Sequence, residues 1–163
     1  VGLLHALYAQ AGMLVSKERL AAEACAIEID ELKEPIGKQD QYAAAFGGFN
    51  RITFLPDGSV NVEPLPLSPE RARAFRDHLL VFYIGGQRDA REVLADQQMK
   101  MGASADKRGY LADMADMADP FASAIVGGDF AECGRILERV HGRDVWLYRP
   151  LLQQSRDSAE LVR

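Results

Sequence analysis

Between residues 47 and 69 the sequence changes its period, and that change limits the possible folds more than any other feature. Arg51-Ile52-Thr53-Phe54-Leu55 alternates, Pro56-Asp57-Gly58-Ser59 is turn-forming, and Val60-Asn61-Val62-Glu63 alternates again. Two period-two runs around a Pro/Asp/Gly/Ser cluster specify a β-hairpin. Gly47-Gly48 precedes it, and the Pro-rich Pro64-Leu65-Pro66-Leu67-Ser68-Pro69 follows it. That second stretch sets a boundary near Leu67, dividing the chain into residues 1–67 and 68–163.

On either side the period is mostly helical. Leu3, Leu4, Leu7, Tyr8 and Ala11 share a helical face that Gly12 ends. Ser16 is placed to cap a helix over 17–32 whose stripe is Leu20, Ala24 and Ile27, with Glu28 at its edge and Pro35 just past its end. Residues 42–46 read as a short helix closed by Gly47-Gly48. Ser68-Pro69-Glu70 has the form of cap, first helical residue and first-turn acid. The apolar run 79–84 is expected to be a buried strand. A helix is expected over 89–101, a polar connector over 103–109, and a helix through Leu111 to Ile125 kinked at Pro120. Gly127-Gly128-Asp129 then precedes a last helix over 130–137. Helices with one hairpin and one buried strand make an α+β chain, not a regular βαβ series.

At 163 residues and 48% hydrophobic content the chain can bury a real core, and its net charge of −5 comes without any Lys/Arg-rich run. A nucleic-acid surface needs clustered cations, so no nucleic-acid partner is expected; a phosphorylated small molecule needs only a few. No apolar run is long enough to span a bilayer, and there is no signal peptide. Cys25 and Cys133 lack metal-type spacing, and reduced thiols in a cytoplasmic protein are the simplest reading. His5, His78 and His141 share no spacing with either cysteine, and no G-x-S-x-G nucleophile signature occurs. The chain opens on Val1 inside an apolar helical pattern, which reads as a piece of a longer protein.

The chemistry concentrates in Glu34-Pro35-Ile36-Gly37-Lys38-Gln39-Asp40-Gln41-Tyr42-Ala43-Ala44-Ala45-Phe46-Gly47-Gly48. A Pro-bounded loop leads into a small-residue helix, with Asp40 set between two amides where that helix begins. The dipole there favours an ionised carboxylate. Such an Asp could accept a hydroxyl proton, or it could simply cap the helix. Lys38 is either a ligand contact or a solvated loop lysine. Glu28 taken alone is a solvated helix-edge acid, in keeping with its acidic neighbours Asp30, Glu31 and Glu34.

The order of these pieces resembles the galactokinase, homoserine kinase, mevalonate kinase and phosphomevalonate kinase (GHMP) superfamily, and most of all its heptose-phosphate kinases. The helix Gly2 to Tyr8 looks like the one after that superfamily's phosphate loop, and residues 35–48 look like its catalytic loop. The hairpin, the run 80–85, Arg88 and Ala90 continue the likeness to about Leu137. The resemblance implies a partial GHMP kinase fold: residues 1–67 as the remainder of the N-terminal domain and 68–163 as part of a ferredoxin-like C-terminal domain. Residues 138–163 form a divergent tail, which a reading-frame disruption or a truncation would explain.

It also implies ATP-dependent phosphorylation of the anomeric hydroxyl of D-glycero-D-manno-heptose 7-phosphate, for nucleotide-activated heptose synthesis. Asp40 would be the catalytic base and Glu28 the Mg²⁺ ligand. Lys38, Gln39 and Gln41 would contact substrate or phosphate, and Gly47 and Gly48 would let the backbone approach the sugar. Arg88 is structural or a further substrate contact. The Gly/Ser-rich phosphate loop and the late glycine-rich strand of the superfamily have no counterpart in these residues. Other readings stay open: a kinase for another sugar such as fucose, or a non-catalytic sugar-binding piece. A homo-oligomer is compatible with either.

Overall fold

The computed structural model describes residues 1–80 and 105–140. The chain divides into two compact units, Val1–Leu65 and Pro66–Arg163. The described residues are helical apart from one small antiparallel sheet, an α+β composition.

In the first unit, α1 (Gly2–Gln10) buries no residue and is tied to α2 (Lys17–Cys25) through its polar edge. Tyr8 donates its hydroxyl to the Glu23 carboxylate at 2.6 and 2.8 Å, and the Arg19 guanidinium lies 5.4 Å from the Tyr8 ring centre. Ser16 caps α2, its Oγ accepting from the Arg19 N–H at 3.2 Å. The buried stripe of α2 is Leu20, Ala21, Ala24 and Cys25, whose small members let the neighbouring helix come close. The chain then widens into a π-helical turn over Ala26–Glu31 instead of running on as α-helix to residue 32. The Leu32 N–H accordingly reaches the Ile27 carbonyl, and Ile27 itself is 44% exposed rather than part of the stripe. Lys33, at φ 57°, turns the chain out of this segment.

α3 (Gln39–Phe46) packs on α2, and the hairpin of β1 (Asn50–Phe54) and β2 (Val60–Pro64) closes the same core. The register pairs Arg51 with Glu63, Ile52 with Val62 and Phe54 with Val60. Alternation therefore sends Ile52, Val60 and Val62 toward the cluster of Ala21, Cys25 and Tyr42. The Tyr42 ring meets Phe54 edge-on at 5.8 Å and stacks with Phe46 at 6.2 Å. At the turn, Asp57 accepts from the Ser59 N–H at 2.9 Å and the Ser59 hydroxyl at 2.6 Å, an Asx turn that fixes the loop.

In the second unit, α4 (Pro69–Asp77) begins as its sequence implies, with Ser68 Oγ accepting from the Arg71 N–H and Pro69 as first helical residue. Residues 105–109, expected to be a connector, belong instead to α5 (Ala105–Asp116). The helix expected to kink at Pro120 is two helices, with α6 (Ala118–Gly127) starting afresh after Met117. A proline in mid-helix would lose a hydrogen bond and press on the Asp116 carbonyl; within a new first turn its missing N–H costs nothing. Gly128, at φ +80°, ends α6, and its N–H and that of Asp129 both reach the Ala124 carbonyl. Asp129 then caps a helix, α7, running over 130–140, accepting from the Glu132 N–H at 2.9 Å. Ala124, Ile125 and Cys133 form the core here, with Leu67, Phe75, Phe121 and Phe130 packed around them.

Leu79 and Leu80 are exposed and not in a strand; the rest of the strand expected over 79–84 lies outside the described residues. So do the helix expected over 89–101, Arg88, and residues 141–163 of the tail.

Candidate functional site

The residues singled out from the sequence gather at the start of α3 and on the π-helical turn. Lys38 occupies the cap position of α3 and makes no side-chain capping bond. Asp40 is therefore not the cap; it stands exposed in the first helical turn. Lys38 and Gln39 are exposed beside it. The Lys38 carbonyl is engaged from below, accepting from the Tyr42 N–H at 3.3 Å and facing Cys25 Sγ at 3.9 Å.

Gln41 takes the opposite course. It is 3% exposed, the one buried polar residue among those described. Its Nε2 donates to Glu28 Oε2, while its Oε1 is buried with no hydrogen-bond partner among the described residues. Glu28 sits at the middle of the π-helical turn and stays half-buried. Its neighbour Ile29 packs on the Ala21–Cys25–Tyr42 core, so the widened turn seats one apolar and one acidic side chain side by side. Cys25 adjoins this pair: burial pushes its thiol pKa up, Lys38 opposes that, and Glu28 and Asp30 reinforce it.

At the far end of α3 the Lys17 ammonium donates to the Phe46 carbonyl at 2.9 Å, satisfying one of the helix's last acceptors. Gly47 follows at φ 65° and ψ 173°, a region essentially closed to residues with a side chain, and Gly48 at φ 71°. Nothing lies within 4 Å of where a Cβ would stand on either glycine, so both border open space. Asn50 Nδ2 holds the bend by donating to the Gly47 carbonyl at 2.7 Å.

Sequence reasoning proposed Glu28 and Gln41 for separate tasks, a metal and a substrate; the structure joins them in one hydrogen bond. A signal was present. Glu28 lies seven residues after Ala21 and four after Ala24, which puts it in register with the buried stripe.

No group of three or more metal-ligating side chains occurs among the described residues. Magnesium at a nucleotide needs no such cage, because phosphates and water fill most of its shell and one or two carboxylates suffice. Glu28 fits that demand, as its described partner is a neutral amide rather than a cation.

The arrangement offers an exposed carboxylate beside a lysine and an amide, and next to it a carboxylate held by a buried amide. Over its full length the chain is 26% identical to a D-glycero-alpha-D-manno-heptose 7-phosphate kinase of Campylobacter jejuni. It covers 46% of that protein, about half the length of the curated relative it matches. No protein-family profile matches the chain, and no solved structure matches it. No helix among the described residues is long and apolar enough to cross a membrane.

Proposed function

We propose that this chain is the acceptor-sugar side of a GHMP-type, ATP-dependent sugar kinase acting on the anomeric hydroxyl of D-glycero-D-manno-heptose 7-phosphate. What carries the reading is similarity along the whole chain to a heptose 7-phosphate kinase, with Asp40 exposed in the first turn of α3. The substrates are the sugar phosphate and ATP, and the setting is the cytoplasm.

In this mechanism Asp40 is the general base. Its ionised carboxylate orients the sugar hydroxyl and takes its proton as the oxygen bonds to the γ-phosphorus and ADP leaves. Positioning supplies most of the rest, because phosphoryl transfer asks little covalent chemistry of the protein. Lys38 and Gln39, exposed beside Asp40, contact the sugar phosphate, and the open bend at Gly47-Gly48 receives the sugar ring. Glu28 would hold Mg²⁺, and a bound Mg²⁺ would supply neutralisation of the phosphate charge. Gln41, being buried, acts on Glu28 rather than on substrate. The sequence contains no Gly/Ser-rich phosphate loop, so phosphoryl transfer by these 163 residues alone is expected to be slight.

The test is phosphoryl transfer from ATP to heptose 7-phosphate by a longer chain extended upstream to include a phosphate loop. Asp40→Asn, which is nearly isosteric and exposed, should lower kcat by about 10²–10⁴-fold with little change in melting temperature. Unchanged turnover in that variant would remove Asp40 from the chemistry. The second reading, a non-catalytic sugar-binding piece, draws on the chain spanning about half its relative's length. It requires that the extended wild type be as inactive as the variant. Transfer to fucose in preference to the heptose would keep the kinase and change its substrate.

A further inference from the structure

We propose that Gln41 is a positioning residue whose buried amide fixes the Glu28 carboxylate as a ligand for a divalent cation. The inference rests on the kinase reading above for its setting and on the Glu28–Gln41 pair for its substance.

The pair is a poor solution if packing alone is at stake. Gln41 is 3% exposed, next to Tyr42 of the core, where an apolar side chain of the same length would bury without penalty. The amide instead carries one oxygen that is buried and unpartnered. Turning the amide over would set that oxygen against the Glu28 carboxylate, so the carboxylate, which can only accept, dictates which end of the amide faces it. One donor is thus committed to a carboxylate at the expense of the other end of the same side chain.

Glu28 needs such a hold. It lies in a π-helical turn rather than in a regular α-helix, and it is half-buried. Gln41 belongs to α3, which is packed against α2 and closed at its far end by Lys17. The amide therefore references Glu28 to the same helix whose first turn carries Asp40. A neutral donor does this without cancelling the charge, leaving the carboxylate competent for a hard cation.

The probe is Mn²⁺, which takes the same oxygen ligands as magnesium, titrated into the full chain and followed by electron paramagnetic resonance. Gln41→Met keeps the length and removes the donor. It should weaken Mn²⁺ binding by about 10-fold or more, as loss of an outer-shell partner does, while the melting temperature holds or rises. A purely structural Gln41 gives the reverse pattern, lower melting temperature with Mn²⁺ affinity unchanged, and overturns the proposal. If Gln41→Met does not fold, Gln41→Asn keeps an amide but shortens its reach. Weakened Mn²⁺ binding in that folded variant supports the role, and wild-type binding rejects it. Absence of Mn²⁺ binding by the wild type also rejects it, whereas the kinase reading stands or falls separately on phosphoryl transfer and Asp40→Asn.

Discussion

Cys25 reports on the interior of the site because the residue is 6% exposed yet its thiol feels the charges of Glu28, Asp30 and Lys38. Burial, the largest influence, raises its pKa, so the folded state favours the neutral thiol. Its stabilising contribution is then complete below the unfolded thiol pKa of about 8.5 and is lost as pH climbs through the higher folded value. Denaturant midpoints measured from pH 7 upward should fall along an alkaline limb that Cys25→Ala flattens in part. Cys133, raised by its own burial, keeps the remainder. A thiol reagent at pH 8 should label Cys25 slowly in the native chain and quickly in denaturant; equal rates would show that the thiol is open. Residue-level chemistry of this kind was only half legible. The sequence placed Asp40 between Gln39 and Gln41 without telling which amide turns inward. That choice depends on which face of α3 meets α2, and the two helices approach each other across a gap in sequence that local patterning does not bridge.

At the level of elements, local chemistry was readable wherever a short run of residues decides the outcome. The hairpin follows from its own alternation and its Asx turn, and both serine caps follow from side chains reaching N–H groups three residues on. Ser68→Ala removes the Oγ that accepts from the Arg71 N–H at 3.2 Å. The loss should be about 1 kcal/mol, seen as a lower denaturant midpoint for the second unit, and Ser68→Asp should recover most of it. If Ser68→Ala melted like wild type, Pro69 alone would suffice to start α4. Two elements escaped the pattern because their cause is not periodic. The π-helical turn keeps an apolar spacing that a plain helix would share, and helix α5 begins within a stretch whose polarity suggested a loop. Pro120 announced a disturbance correctly but not its place, since a proline is best tolerated in a first turn and so moves the break upstream to Met117.

On the scale of the whole chain, helix α1 of the first unit presents exposed apolar side chains. Helix α1 buries none of its residues: Leu3 is 76% exposed and Leu7 53%, four residues apart on one face. Beyond it Met13 is 49% exposed and Leu14 fully so. Apolar side chains at helical spacing normally mark a face that packs, and such area gains about 25 cal/mol per Å² on leaving water. The attachment of α1 to α2 is polar at Tyr8 and Glu23, so the helix can stay folded while that face remains wet. The chain should therefore associate as its concentration rises, with sedimentation velocity showing species heavier than 18.0 kDa. Replacing Leu3 and Leu7 together by Lys charges the face without touching the core of Ala21, Cys25 and Tyr42. The doubly substituted chain should sediment as the lighter species over the same range, with stability changed by no more than about 1 kcal/mol. Association that persists undiminished would place its source on a different surface, and a collapse in stability would mean that these leucines pack inside the folded chain after all.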